Sequence, residues 1–172
     1  LSGQLPNAGL LFAAIDFDHA QILQKIDEAF PGIELIGGTT EGEMSSELGF
    51  EQDSLTLMVF CSKTITISAG IGRNVAQDAI AAATSAVRQA QAQHADNIQF
   101  CLTFPESLTI SNEIILESLE SALGEKVSVF GGLTAGQHPS KQTYQFCKTE
   151  VCSNSVPVLL FSGPIQFSHG VA

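Results

Sequence analysis

Two segments of the chain carry residue types from which a small-ligand site could be built. Residues 33–43, IELIGGTTEGE, return as residues 127–137, VSVFGGLTAGQ. In each, an apolar strand-like run ends in Gly-Gly and is followed by threonine and a further glycine. The first copy offers Gly37, Gly38, Thr39, Thr40 and Glu41; the second offers Gly131, Gly132 and Thr134. Glycines directly after a buried strand permit positive φ or close backbone approach, and they can leave amide N–H groups turned towards a ligand. That chemistry suits a carboxylate or another small polar group. The same glycines equally suit a tight crossover turn where two halves of a chain meet near a pseudo-twofold axis. Phosphate is a poor fit, because GGTTEGE lacks both GxxxxGK[ST] and GxGxxG, and Glu41 and Glu43 would repel it. Those two glutamates could instead pair with an amine or cap the local backbone.

Other reactive types are present without a motif to organise them. No GxSxG elbow marks a nucleophile, and the four histidines give no HExxH or comparable metal spacing. His19 and His94 fall near helix ends, where a solvated histidine is ordinary. His138 follows the second Gly-Gly loop, and His169 stands where the first half has Ala69. Either could ligate haem iron or hydrogen-bond a ligand, or be a surface histidine. Cys147 and Cys152 could add a thiolate, but no CxxCH supports covalent haem attachment. None of the four cysteines forms a CxxC, and a core of this size needs no staples, so buried reduced thiols are expected. An enzyme of hydrolase type would require Thr40, Thr134 and Glu41 to face one polar cleft.

The elements that must position these loops also repeat. GLLFAA at 9–14 matches IQFCL at 98–102, SLTLMVF at 54–60 matches SVPVLLF at 155–161, and ITISAGI at 65–71 matches IQFSHGV at 165–171. The pattern predicts repeat 1 at 9–72, a linking helix at 74–94 and repeat 2 at 97–172. Each half reads strand, helix, strand, Gly-Gly loop, strand, strand. In the first, Asp16 or Asp18 caps a helix through Phe30 with Ile22, Leu23, Ile26 and Phe30 as its apolar stripe. In the second, Ser107 or Thr109 caps a helix through Leu123 that buries Ile110, Ile114, Ile115, Leu119 and Leu123. The linking helix presents a small-residue face, Val75, Ala79, Ala82, Ala83, Ala86, Val87 and Ala90, for close packing on a sheet. Residues 61–64 and 162–164 read as hairpin turns, and 143–147 as an extra strand whose counterpart at 44–49 is shorter. The fold class is therefore mixed α/β: two strand-helix-strand plus antiparallel hairpin halves, with helices outside one mixed sheet or two layered sheets.

Composition narrows the partners. The 172 residues are 44% hydrophobic and 15% charged, enough for a real core, and the net charge of −11 disfavours nucleic acid and anionic membrane surfaces. No apolar run approaches the ~18–20 residues of a membrane span, and no basic leader opens the chain, so a cytoplasmic location is expected. The absent initiator Met and the stop at Ala172 within strand-like alternation suggest a piece of a larger protein.

IGGTTEGE at 36–43, VFGG at 129–132 and DSLTLMVF at 53–60 resemble blocks of the N-terminal part of the FIST domain, named for F-box and intracellular signal transduction proteins. The similarity extends over nearly all of the chain, with Glu41 standing where the family commonly has a small residue. The resemblance implies a non-catalytic bacterial sensory module that passes its signal to an attached or partner output domain. It implies a C-terminal FIST part and output domains of histidine kinase, diguanylate cyclase or chemoreceptor type. It implies a small ligand such as an amino acid, with haem-based nitric oxide sensing as an alternative. A small-molecule hydrolase and a dimerisation module using exposed strand edges are the readings from other classes.

Overall fold

In the computed structural model, residues 3–47, 49–92, 97–136 and 142–170 are described. The chain opens with β1 (Ala8–Ala13), whose AGLLFA run is buried almost throughout. Helix α1 (His19–Ala29) starts where the Asp18 carboxylate accepts the Gln21 N–H, and it ends at Phe30, whose N–H returns to the Ile26 carbonyl. Strand β2 (Glu34–Thr39) then lies parallel to β1, as a strand-helix-strand unit requires. After the short pair β3 (Glu43–Ser45) and β4 (Gly49–Glu51), β5 (Leu55–Phe60) runs antiparallel on the other side of β1.

The same arrangement follows in the second half. Strands β7 (Ile98–Thr103) and β8 (Ser128–Gly131) are parallel, with α3 (Asn112–Leu123) between them, and β11 (Ser155–Ser162) lies antiparallel on the other side of β7. Gly37 sits opposite Leu11, and Gly131 opposite Thr103. A Cβ at either glycine would come 1.8 Å from the carbonyl oxygen of that partner. On the far side, Leu11 faces Leu57 and Thr103 faces Val158; Leu57 and Val158 correspond as the sequence match predicts, whereas Leu11 is level with Thr103 rather than with Phe100.

Beside the two-stranded β3-β4 pair, two larger sheets are formed by the described residues, ordered β10-β9-β2-β1-β5 and β6-β11-β7-β8, where β6 is Thr66–Arg73, β9 is Gln145–Cys147 and β10 is Glu150–Cys152. Mixed α/β layering with helices outside is as expected, and the choice between one sheet and two is resolved as two. Leu10 and Ile36 of the first sheet meet Ile67, Ala69, Ile71, Leu159 and Phe161 of the second across the inner core. Outside, α1 covers the first sheet through Leu23 and Ile26. The second sheet is covered by α3 and by α2 (Ala79–Gln91).

Local details differ from the sequence expectation. The turn at 61–64 joins strands of different sheets: β6 crosses the layers and pairs with β11 over its whole length, because its small, buried residues fit there. Residues 163–170 form no strand ladder. Helix α2 begins at Ala79 rather than 74, since Asn74 adopts φ +60° and Asp78 caps the Ala81 N–H; His94 lies outside the described residues. Helix α3 begins after Ser111, because the Glu106 carboxylate takes the Leu108 and Thr109 N–H groups and holds that stretch in a turn. Ile114 is consequently turned outwards, 46% exposed.

Glycines in β6 set how closely α2 approaches. A Cβ at Gly72 would stand 1.9 Å from the Ala82 carbonyl oxygen, and one at Gly70 would stand 2.1 Å from that of Ala86. Gly72→Ala must therefore push the helix off the sheet. The expected cost is about 3 kcal/mol, read as a lowered urea midpoint, against less than about 0.5 kcal/mol for Ile80→Ser on the exposed face of α2.

Candidate functional site

The Gly-Gly segments close β2 and β8, and the chain leaving each one meets that leaving the other. The Ala135 N–H donates to the Thr39 carbonyl at 2.7 Å, and the Thr39 N–H donates to the Tyr144 carbonyl at 3.0 Å. Gly38 has no room for a side chain, because a Cβ there would lie 2.2 Å from Thr134 Cγ2. The first loop thus packs backbone-first on the segment following the second.

Around that contact lies a buried polar network. Thr39 Oγ1 accepts the Tyr144 N–H at 3.1 Å. The Thr134 hydroxyl, 2% exposed, donates to the Pro105 carbonyl at 3.0 Å and accepts from Gln145 Nε2 at 2.9 Å. Gln145 Nε2 also reaches Thr143 Oγ1, while its Oε1 accepts both the N–H and the hydroxyl of Ser155. Every polar atom of the Gln145 amide is therefore used, as burial demands. In the first loop, Thr40 and Ser54 donate their hydroxyls to the two oxygens of the buried Glu43 carboxylate, while Glu41 is exposed. Thr40, Thr134 and Glu41 accordingly serve three different surroundings, and they share no polar cleft.

Gly131, Gly132 and Leu133 instead form the rim of a cavity of about 260 Å³. Ile115, Leu116 and Leu119 of α3 wall one side, and Val129 and Phe130 the other; Asn112, the first residue of α3, and Thr103 supply polar groups. Ser111 makes no side-chain cap at this helix start. At the start of the first-half helix, where α3 has Asn112, stands His19, the first residue of α1. His19 was expected in solvent but is 5% exposed, with Nε2 2.9 Å from the Ala14 carbonyl oxygen and its ring 5.0 Å from Phe146 and 5.6 Å from Tyr144. Strand β9, paired to β2, carries Phe146 and is preceded by Tyr144, whereas among the described residues β8 is a sheet edge.

Of the haem-ligand candidates, His169 is exposed with its ring 5.1 Å from Phe130, and His138 lies outside the described residues. No group of three or more metal-ligating side chains occurs among the described residues. A larger groove of about 670 Å³ beside α2 includes Arg73, but that guanidinium is already bonded to Glu150 and, at 2.8 Å, to Cys152 Sγ. All four cysteines are free; Cys61 is half-buried, and burial pushes the Cys101 and Cys147 thiols up to about 12.

Sequence reasoning missed Glu106, Thr143 and Gln145. The signal for Gln145 was present, a glutamine between Tyr144 and Phe146 in apolar strand text. A polar side chain on the buried face of a strand asks for partners.

The family model of the FIST N domain matches residues 7–172. No curated protein matches the chain.

Replacing Gln145 with leucine strips partners from Ser155, Thr134 and Thr143 together, and a loss of about 1–3 kcal/mol in thermal unfolding is expected. At pH 8 iodoacetamide should label Cys61 well ahead of the other three cysteines, with all four reacting in denaturant. The folded state holds the Cys101 and Cys147 protons more tightly than the unfolded chain. Stability should therefore be flat below the ordinary thiol value of about 9 and fall as pH rises from there towards about 12, as pH-dependent unfolding would show.

Proposed function

The chain belongs to the FIST N domain family, a family of sensory domains in signal transduction, and on that premise we propose that it is a non-catalytic receptor for a small ligand, an amino acid or small carboxylate. The cavity at the second Gly-Gly loop carries this reading, because the start of α3 lines it, whereas the start of α1 holds the buried His19. Its apolar walls suit an aliphatic body of a few carbons. A carboxylate fits beside the start of α3, where the first-turn N–H groups and the positive end of the helix dipole meet the Asn112 side chain and the backbone at Gly131 and Gly132. Gly38 and Thr39 take part through the shared contact: a ligand that shifts Gly132 and Thr134 pulls on the Ala135-to-Thr39 hydrogen bond.

Signalling requires a ligand that binds two conformations with different affinity. The readout partner is a C-terminal FIST part followed by a histidine kinase, diguanylate cyclase or chemoreceptor output, working in a bacterial cytoplasm. No helix among the described residues is long and apolar enough to cross a membrane.

A thermal-shift panel of amino acids and small carboxylates tests the reading. A ligand at about a hundred times its Kd should stabilise the protein by about 2.7 kcal/mol. The shift should vanish in Leu116→Glu, which puts a negative charge on the cavity wall at a half-exposed position. Failure of every compound, or a shift unaffected by Leu116→Glu, sinks the proposal. A Soret band on adding haemin, lost in His169→Ala or His138→Ala, would move the reading to haem-based nitric oxide sensing.

A further inference from the structure

We propose that residues 166–170 add to the free edge of β5 as an antiparallel strand, so that each half of the chain completes the other half's sheet. This inference is independent of the ligand. In the second sheet β11 is an interior strand: β6 pairs with it from Arg73 opposite Ser155 to Thr66 opposite Ser162. In the first sheet β5 holds the place equivalent to β11 but ends the sheet, leaving Leu55 46% and Met58 53% exposed. A long apolar edge of this kind calls for a cover.

The occupant is indicated by the chain itself. Strand β6 follows β5 after a short crossing, and residues 165–170, IQFSHG, follow β11 as ITISAG at 65–70 follows β5. Their side chains already alternate as a strand's do. Ile165 packs into the core between the sheets, the Phe167 ring lies 4.9 Å from Phe100 and 5.8 Å from Phe130, and the His169 ring lies against Phe130. Ile65, just before β6, and Ile67 and Ala69 of β6 face that same core. An aromatic chain also leads from β5 to the segment: Phe60 meets Phe161 at 5.5 Å, Phe161 stacks on Phe100 at 4.4 Å, and Phe100 meets Phe167. Carrying the β11–β6 register over, with Leu159 opposite Ala69 and Leu160 opposite Ser68, puts Met58 opposite His169 and Val59 opposite Ser168. Because 165–170 is tethered to β11 through Gly163 and Pro164, its own β5 is the edge it reaches at the highest effective concentration.

Two measurements on the full chain decide the matter. With Cys61→Ser as background, Met58→Cys/His169→Cys should form an intramolecular disulfide under mild oxidation. Met58→Cys/Ser168→Cys, whose side chains would point to opposite faces, should not. In hydrogen exchange followed by mass spectrometry, Ser168→Pro, which removes a donor at an exposed position, should speed deuterium uptake over residues 55–60 at least about tenfold. Absence of the in-register disulfide, equal crosslinking of both pairs, a crosslink only between two molecules, or unchanged uptake over 55–60 would each overturn the proposal.

Discussion

The eight-residue ladder between β6 and β11 is the interaction on which the rest of the structure depends. It takes a strand from the first half of the chain and builds it into the sheet of the second. Once β6 is there, Ile67, Ala69 and Ile71 must face Leu10 and Ile36, so the two sheets stack with a shared core. The chain leaving β6 must also turn back over the same sheet, which places α2 on its outer face. Gly70 and Gly72 then determine how near that helix lies, and the Ala-rich face of α2 is the complement of those glycines. Bulkier residues on either side would separate the layers, and the outer core of Val87, Val156, Val158 and Leu160 would open to water.

The meeting of the Gly-Gly segments has a different physical basis. At Gly38 the constraint is steric, since Thr134 occupies the space a side chain would need. Around it the constraint is polar: burying Thr39, Thr134, Thr143, Gln145 and Ser155 together is tolerable only because their donors and acceptors are matched. Such a network fixes one relative placement of the two loops, whereas an apolar contact would allow sliding.

How much of this was legible depends on whether the cause is local. Apolar runs such as AGLLFA and SVPVLLF, the glycines at 37 and 131 and the stripe Ile22-Leu23-Ile26 are local signals, and the elements they imply are present. Ser107 or Thr109 looks like a cap for α3, but Glu106 takes the Leu108 and Thr109 N–H groups and the helix starts further on; the Ala-rich run points to a start at 74 for α2, but Asn74 turns to φ +60° and Asp78 caps the helix instead. The segment 61–64 reads as a hairpin because its flanking strands alternate well. Which sheet the second strand joins is decided by a partner nearly ninety residues away at Ser155–Ser162. His19 looked solvated for the same reason: the residues that bury it are Tyr144 and Phe146, delivered by a strand from the other half.

That last placement explains why the second Gly-Gly segment rims a cavity while the start of α1 is packed against aromatic rings. The insertion after the second Gly-Gly segment is long enough to form β9 and β10, and β9 extends the first sheet by pairing Ile36 with Cys147 and Gly38 with Gln145. Its aromatic residues close the space beside the start of α1. The insertion after the first segment yields only β3 and β4, which pair with each other and leave Met44 and Phe50 exposed, so β8 stays an edge. Among the described residues, the space between α3 and the Gly131–Leu133 rim is lined largely by apolar side chains, with Phe130 as part of its wall. The different segments that follow the two Gly-Gly runs thus leave the first run packed against the rest of the chain and the second at the rim of a cavity.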